Sequence, residues 1–194
     1  MKKIIYLFLC GFMLLAVSGC QTSEKAKDNE IQDDSSDETQ TADNSSESTE
    51  TLPSLMPEFE AVDINGNTIT NEIFAGKKIT MVNIWATYCG PCIDEMPALG
   101  DLSRSLPEDA QIVGLVIDVS GDTNLKAAQD IAGNANADFT HIVADETLID
   151  MIQNILGVPT SFFVDEEGKL VGGTILGARS EKEYFNAITE LLEK

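Results

Sequence analysis

The chain has 194 residues, 43% of them hydrophobic, enough for one ordinary domain with a sizeable core plus appendages and too few for two. Its 33 acidic side chains against 12 basic ones give a formal charge of −21. That balance argues against a nucleic-acid partner, because phosphate binding needs a basic footprint.

Lys2 and Lys3 open an almost wholly apolar stretch over residues 4–17, the layout of a processing signal and too short for a comfortable spanning helix. Its end, Val17-Ser18-Gly19-Cys20, resembles the lipobox of bacterial lipoproteins. That resemblance implies a signal peptide over 1–19 and a diacylated Cys20 as mature N-terminus, and two acyl chains meet the two-signal requirement for stable anchoring. The alternative is an ordinary secretory signal cut before a free Cys20. Residues 21–51 are dominated by Ser, Thr, Asp, Glu and Asn, with Ile31 the only large apolar side chain, so nothing there offsets the entropy of ordering. The expectation for 20–52 is a lipidated cysteine followed by a disordered acidic tether, with an r.m.s. span of roughly 30 Å by the square-root rule for flexible chains. An acidic interaction tail is the other reading of the same composition.

The globular domain is expected over 53–194. Phe59, Ala61 and Ile64 lead into Asn65-Gly66-Asn67, a tight-turn signal, and Thr68-Ile69-Thr70 can return as a partner strand. Residues 79–86 are β-rich and nearly continuously apolar, the pattern of a central strand buried on both faces. Pro91 suits the first position of a helix, and residues 93–106 continue with helical composition. Pro97 should kink that helix without ending it, since Leu99, Leu102 and Leu106 carry the apolar stripe onward. Residues 111–119 form a second buried strand, completing a strand–helix–strand unit that fits a right-handed crossover. An Ala-rich helix follows over 125–135, with Asp122 or Thr123 as cap. A short strand is expected over 139–143 and a short helix over 148–156, closed by Gly157. Residues 160–164 and 169–171 flank Asp165-Glu166-Glu167-Gly168 as a hairpin. Ser180 caps a last helix reaching Leu192, with Glu183 at the capping-box position.

Cys10 leaves with the signal and Cys20 carries lipid, so Cys89 and Cys92 remain as thiols. A close pair that binds metal normally needs a second pair of Cys or His ligands, and the rest of the mature chain offers only His141. No metal and no cofactor are therefore expected. A disulfide across so short a loop constrains the unfolded chain little, which makes it a poor staple and a good switch. With Cys89 at a strand end and Pro91 opening the helix, the Cys89 sulfur would lie by unpaired N–H groups and the positive dipole end, which favours the attacking thiolate. Cys92, one turn in, is suited to resolve the mixed disulfide.

The strand, Trp85-Ala86-Thr87-Tyr88-Cys89-Gly90-Pro91-Cys92 and a proline five residues further on resemble thioredoxin, and Gly157-Val158-Pro159-Thr160 before a strand resembles the cis-proline loop of that fold. The lipobox, the acidic tether, the first hairpin, Glu95-Met96-Pro97 and the long segment before Pro159 together resemble the TlpA/ResA-type membrane-anchored thiol–disulfide oxidoreductases. The resemblance implies an α/β thioredoxin-like fold: a central mixed β-sheet flanked by helices, with an N-terminal β-hairpin and a central insertion. It implies a cis Pro159 opposite the cysteines, Val158 offering backbone hydrogen bonds to a substrate segment, Trp85 beside the motif and Tyr88 as a substrate contact where thioredoxin commonly has tryptophan. Asn83 stands where thioredoxin has a buried aspartate and cannot accept a proton. Glu95, three residues past Cys92 on the same helical face, matches an acidic residue of the lipoprotein family and is the available proton acceptor; the other reading is an acid that merely complements the helix dipole. Asp94 fits the dipole role, and His141, alone in sequence, fits a structural one.

The expected function is an extracytoplasmic, lipid-anchored oxidoreductase at the cell membrane, a monomer exchanging disulfides with exported proteins such as apocytochrome c. A membrane thiol carrier of the CcdA or DsbD type would recharge it. The Cys-Gly-Pro-Cys sequence leans to the reducing side by resemblance, but potentials within this chemistry run from about −270 to about −120 mV, so an oxidase with the same residues stays open. Two further classes compete. A peroxiredoxin-like peroxidase needs Thr or Ser three residues before its cysteine, where this chain has Ala86. A metal or haem chaperone lacks ligands.

Overall fold

The computed structural model describes residues 52–194. The expected signal peptide, lipidated Cys20 and tether all lie outside them, apart from Leu52. Seven strands form one mixed sheet, β1 (Glu60–Asp63), β2 (Thr68–Thr70), β3 (Ile79–Trp85), β4 (Ala110–Val116), β5 (His141–Val143), β6 (Thr160–Val164) and β7 (Leu170–Leu176). The helices are α1 (Gly90–Ser105), α2 (Leu125–Asn134), α3 (Glu146–Met151) and α4 (Glu181–Leu192), with a short 3-10 helix over Asn71–Phe74. Spatial order is β2-β1-β5-β4-β3-β6-β7. β3, β4 and β5 run parallel, while β6 and β7 on one side and β1 and β2 on the other pair antiparallel. This is the mixed sheet expected from the sequence, and the first hairpin is part of it because β1 also pairs with β5.

All seven residues of β3 are buried, as its nearly continuous apolar run requires of a strand covered on both faces. Strand alternation sends Met81 and Trp85 into a core shared with Cys92, Met96, Leu99 and Leu102 of α1 and Tyr184 and Ile188 of α4. Val82 and Ile84 enter the opposite core, with Phe59, Phe74, Leu115, Leu148 and Phe162. Asn83 shares the parity of Met81 and Trp85, so the one polar residue of this strand's centre points at α1. On β6, Ser161 pairs in register with Asn83. Two polar residues thus meet inside the α1-facing core.

Several boundaries differ from the sequence expectation for local physical reasons. β4 stops at Val116, because Asp118 turns aside to bond the loop after β3. α2 is capped by neither Asp122 nor Thr123: its cap residue is Asn124, held left-handed at φ 60 without a side-chain cap bond, and its Nδ2 donates instead to Asp118. β5 starts at His141, and Phe139 packs its ring on the His141 ring. α3 begins at Glu146, capped by Asp145, whose carboxylate accepts the Leu148 N–H, and it ends at Met151, well short of Leu156. β7 runs through Gly172-Gly173 to Leu176, its first and last residues both paired with β6. Helix α1 does continue through Pro97, and Ser180 with Glu183 forms the expected reciprocal capping box. Among the described residues no helix is long and apolar enough to cross a membrane.

Candidate active site

Four loops converge at one end of the sheet: those leaving β3, β4 and β7 and the one feeding β6. The carboxyl ends of parallel strands are where open α/β sheets place their sites. Cys89 ends the first of these loops as the N-cap residue of α1, with Pro91 in the first turn. It is disulfide-bonded to Cys92, so the site is in its oxidised form. The Cys92 N–H donates to Cys89 Sγ at 3.2 Å, one of the otherwise unpaired donors of the helix start directed at this sulfur. In the reduced protein the same donor and the helix dipole favour a thiolate there. Cys89 retains 6% exposure and Cys92 none, which matches an outer and an inner sulfur.

The Val158–Pro159 bond is cis. The Val158 carbonyl oxygen lies 3.5 Å from Cys89 Sγ, bringing the expected substrate-binding backbone against the outer sulfur. The loop is fixed from both sides: the Pro159 carbonyl accepts the Gly177 N–H at 2.8 Å, and Thr160 Oγ1 donates to the Gly157 carbonyl at 2.6 Å. Tyr88 is 73% exposed beside Cys89, open to a partner. Trp85 is not: it is fully buried, in the core that also holds Cys89 and Cys92. Its indole packs edge-on against the His141 ring at 5.4 Å, as a support beneath the motif.

A residue that the sequence did not single out holds the loop from the other side. Asp118 accepts the Thr87 N–H at 3.0 Å and the Thr87 hydroxyl at 2.5 Å, two residues before Cys89. Only the β3–β4 register places it there, so no spacing rule could have found it.

Glu95 is 5% exposed, and it lies beyond the first turn of α1, so the dipole-complement reading does not describe it. Its Oε1 accepts from Asn83 Nδ2 at 3.0 Å, and its Oε2 accepts the Arg179 N–H and the Tyr184 O–H, each at 3.0 Å. Asn83 Nδ2 also donates to Ser161 Oγ at 3.1 Å, and the Ser161 hydroxyl donates to the Tyr184 oxygen, with the two oxygens 3.4 Å apart. Three donors favour the carboxylate, but burial outweighs them and holds the Glu95 carboxyl above its ordinary range. That combination suits a group that takes and returns a proton. Asp94, its neighbour, is exposed on the same helix and is also outside the first turn. An open groove of about 520 Å³, lined by Pro91, Asp94, Glu95, Arg179, Ser180 and Glu183 among others, leads from solvent to Glu95.

His141 is 2% exposed and takes no part in this network. Its Nε2 is 3.0 Å from the Ala137 carbonyl, and burial pushes its pKa down to about 4, so the ring is neutral and Nε2 donates.

A cysteine pair at the start of a helix, a cis-proline loop against its outer sulfur and a buried acid behind it, on this sheet, define a thioredoxin-like thiol–disulfide oxidoreductase. The Redoxin family model matches residues 52–188, and the chain belongs to that family. Among curated relatives it is 28% identical over 127 residues to the thioredoxin-like protein YneN of Bacillus subtilis (strain 168), covering 66% of this chain and 72% of that one. It is also 28% identical over 137 residues to the thiol-disulfide oxidoreductase ResA of Bacillus thuringiensis subsp. konkukian (strain 97-27), covering 69% and 76%. Among solved structures, a thioredoxin-family thiol:disulfide interchange protein from Chlorobium tepidum superposes with a TM-score of 0.62 at 24% identity, over 73% of this chain and 98% of that one.

Proposed function

We propose that this protein is a lipid-anchored reductase on the extracytoplasmic face of the cell membrane, acting as a monomer on disulfides of exported proteins such as apocytochrome c. The observation that carries the reading is the position of Cys89: its sulfur caps α1, receives the Cys92 N–H and touches the Val158 carbonyl. In the reduced enzyme the Cys89 thiolate attacks one sulfur of the substrate disulfide, forming a Cys89–substrate disulfide and releasing the other sulfur as a thiolate. Val158 and Pro159 align the substrate backbone, and Tyr88 contacts its surface. Cys92 then loses its proton to Glu95 and attacks Cys89 Sγ. The second substrate thiol leaves, and the two electrons have passed from the pair to the substrate, with Cys89–Cys92 left as the disulfide described above. A membrane thiol carrier of the CcdA or DsbD type restores the dithiol.

The membrane placement rests on Val17-Ser18-Gly19-Cys20 and the charged, apolar stretch before it. The peroxidase reading loses ground, because Ala86 fills the position three residues before Cys89 and Thr87 is committed to Asp118.

The direction is tested by equilibrating the Cys89–Cys92 pair against a glutathione series. The expected potential lies near the thioredoxin end of the range, and a value above about −150 mV assigns the same residues to disulfide formation instead. The order of the two cysteines is tested by Cys92→Ser, which should trap extracytoplasmic partners as mixed disulfides through Cys89. Recovery of partners on Cys92 from a Cys89→Ser variant, and none from Cys92→Ser, would reverse the roles.

A further inference from the structure

The C-terminal helix closes the buried polar network, and its contribution differs in kind from the others. Three donors meet the Glu95 carboxyl: an amide N–H of Asn83, the backbone N–H of Arg179 and the hydroxyl of Tyr184. Amide and backbone N–H groups donate only, whereas a tyrosine hydroxyl donates or accepts. A protonated Glu95 must itself donate, and against two fixed N–H groups it would be left facing donors. Tyr184 is the partner that can reverse, provided its own proton has somewhere to go. Ser161 Oγ is 3.4 Å away, has two lone pairs and already accepts one Asn83 N–H. Both hydroxyl groups are buried, Tyr184 and Ser161 each at 0% exposure, so bulk water does not substitute for either.

We propose that Tyr184 is a positioning residue for the exchange reaction: its hydroxyl, turning between Glu95 Oε2 and Ser161 Oγ, gives the buried Glu95 carboxyl a hydrogen-bond partner whether it holds or has released a proton. The proposal rests on the reading of Glu95 as proton acceptor for Cys92. With Glu95 ionised, Ser161 donates to Tyr184 and Tyr184 donates to Glu95. When Cys92 gives up its proton, Glu95 Oε2 takes it and donates it to the Tyr184 oxygen, and the Tyr184 proton turns to Ser161. No proton passes through Tyr184; the one taken up leaves Glu95 for water in the groove. The other charged or titratable groups around Glu95 are Asp94 and Cys92 on α1, Arg179 before α4 and Glu183 on α4, while β3 and β6 present the uncharged Asn83 and Ser161.

The two hydroxyl groups then have opposite effects when removed. Tyr184→Phe keeps the ring in its packing but deletes a donor to the carboxylate. Hydrogen bonds to an ionised group are about twice as strong as neutral ones, so the charged form loses more and the Glu95 titration moves up by about one pH unit. Ser161→Ala removes the place to which the Tyr184 proton turns, which holds that proton on Glu95 and moves the titration down. The measurement is NMR titration of the Glu95 carboxyl carbon in the full reduced protein, alongside the pH profile of kcat/KM for reducing a protein disulfide. Opposite shifts in the two variants, both absent from the rate profile in a Glu95→Gln background, support the relay. Shifts of the same sign, or none, overturn it. A Glu95→Gln variant whose Cys thiol titration is unchanged overturns the proton role of Glu95 itself, and the carboxyl titration still decides the relay.

Discussion

At the scale of single residues, His141 shows how a lone titratable group in a core becomes a stability term without joining the chemistry. Its ring sits between Phe139 and Trp85 and directly over Gly114, where an added Cβ would come within 2.3 Å of Nδ1. Burial lowers its pKa from 6.5 to about 4, with the Ala137 carbonyl and Asp63 opposing that shift only in part. The unfolded chain therefore takes up a proton that the folded protein refuses. Stability from this site is complete above about pH 6.5 and is lost as pH falls towards 4, amounting to about 3 kcal/mol. Glu95 acts with the opposite sign: its carboxyl is raised when folded, so its contribution is full below the unfolded value of 4.5 and is lost as pH rises through the folded one. Subtraction separates them. Urea denaturation of wild type and His141→Gln between pH 4 and 8, in buffers of about equal ionic strength, should give a difference curve with the His141 slope alone. A flat difference would mean that the folded ring takes up its proton at the same pH as the unfolded chain, and that burial does not hold it neutral.

At the scale of elements, how much could be read in advance depended on whether a signal was local. The β3 run, the Pro91 start of α1 and the Ser180–Glu183 capping box are local, and all three stand as expected. The start of α3 was equally local, an Asp145 cap, but Ile152, Ile155 and Leu156, with Gly157 as the expected stop, drew the expected helix past its end. Non-local partners were out of reach. Asp118 meets Thr87 because β3 and β4 lie side by side, with Trp85 opposite Val116. Ser161 meets Asn83 because β6 runs antiparallel on the other side of β3. Tyr184 reads in sequence as one apolar member of an amphipathic helix, four residues before Ile188, and its packing role is real. Its hydroxyl acquires a second role only because α4 docks where α1 presents Glu95. The cysteine pair and Glu95 were therefore legible from spacing, whereas the groups that tune Glu95 belong to three other elements. Trp85 makes the converse point. A motif resemblance set it beside the cysteines, and the twofold period of β3 turns it into the core they share, where its role is packing against His141.

At the scale of the whole molecule, the excess of acid decides which substrates arrive. The formal charge is −21, and the groove that reaches Glu95 presents Asp94 and Glu183 with Arg179 as its cation, while Asp118 braces the loop carrying Cys89. A field of one sign across a site speeds encounter with the opposite sign and slows its own, by about ten-fold or more at low salt. The Debye length falls from about 30 Å at 0.01 M to about 8 Å at 0.15 M, so most of that effect should vanish over this range. At substrate concentrations well below saturation, kcat/KM for a disulfide in a basic protein should drop about ten-fold between these salts, and that for an acidic protein should rise. The chemical steps beneath the cis-proline loop involve buried groups and are screened much less, so kcat should hardly move. Salt would then act on the encounter and leave the exchange itself alone. Equal salt responses for basic and acidic substrates would place recognition in the apolar and backbone contacts of Tyr88 and Val158, with the acidic surface serving only to keep the protein off anionic neighbours.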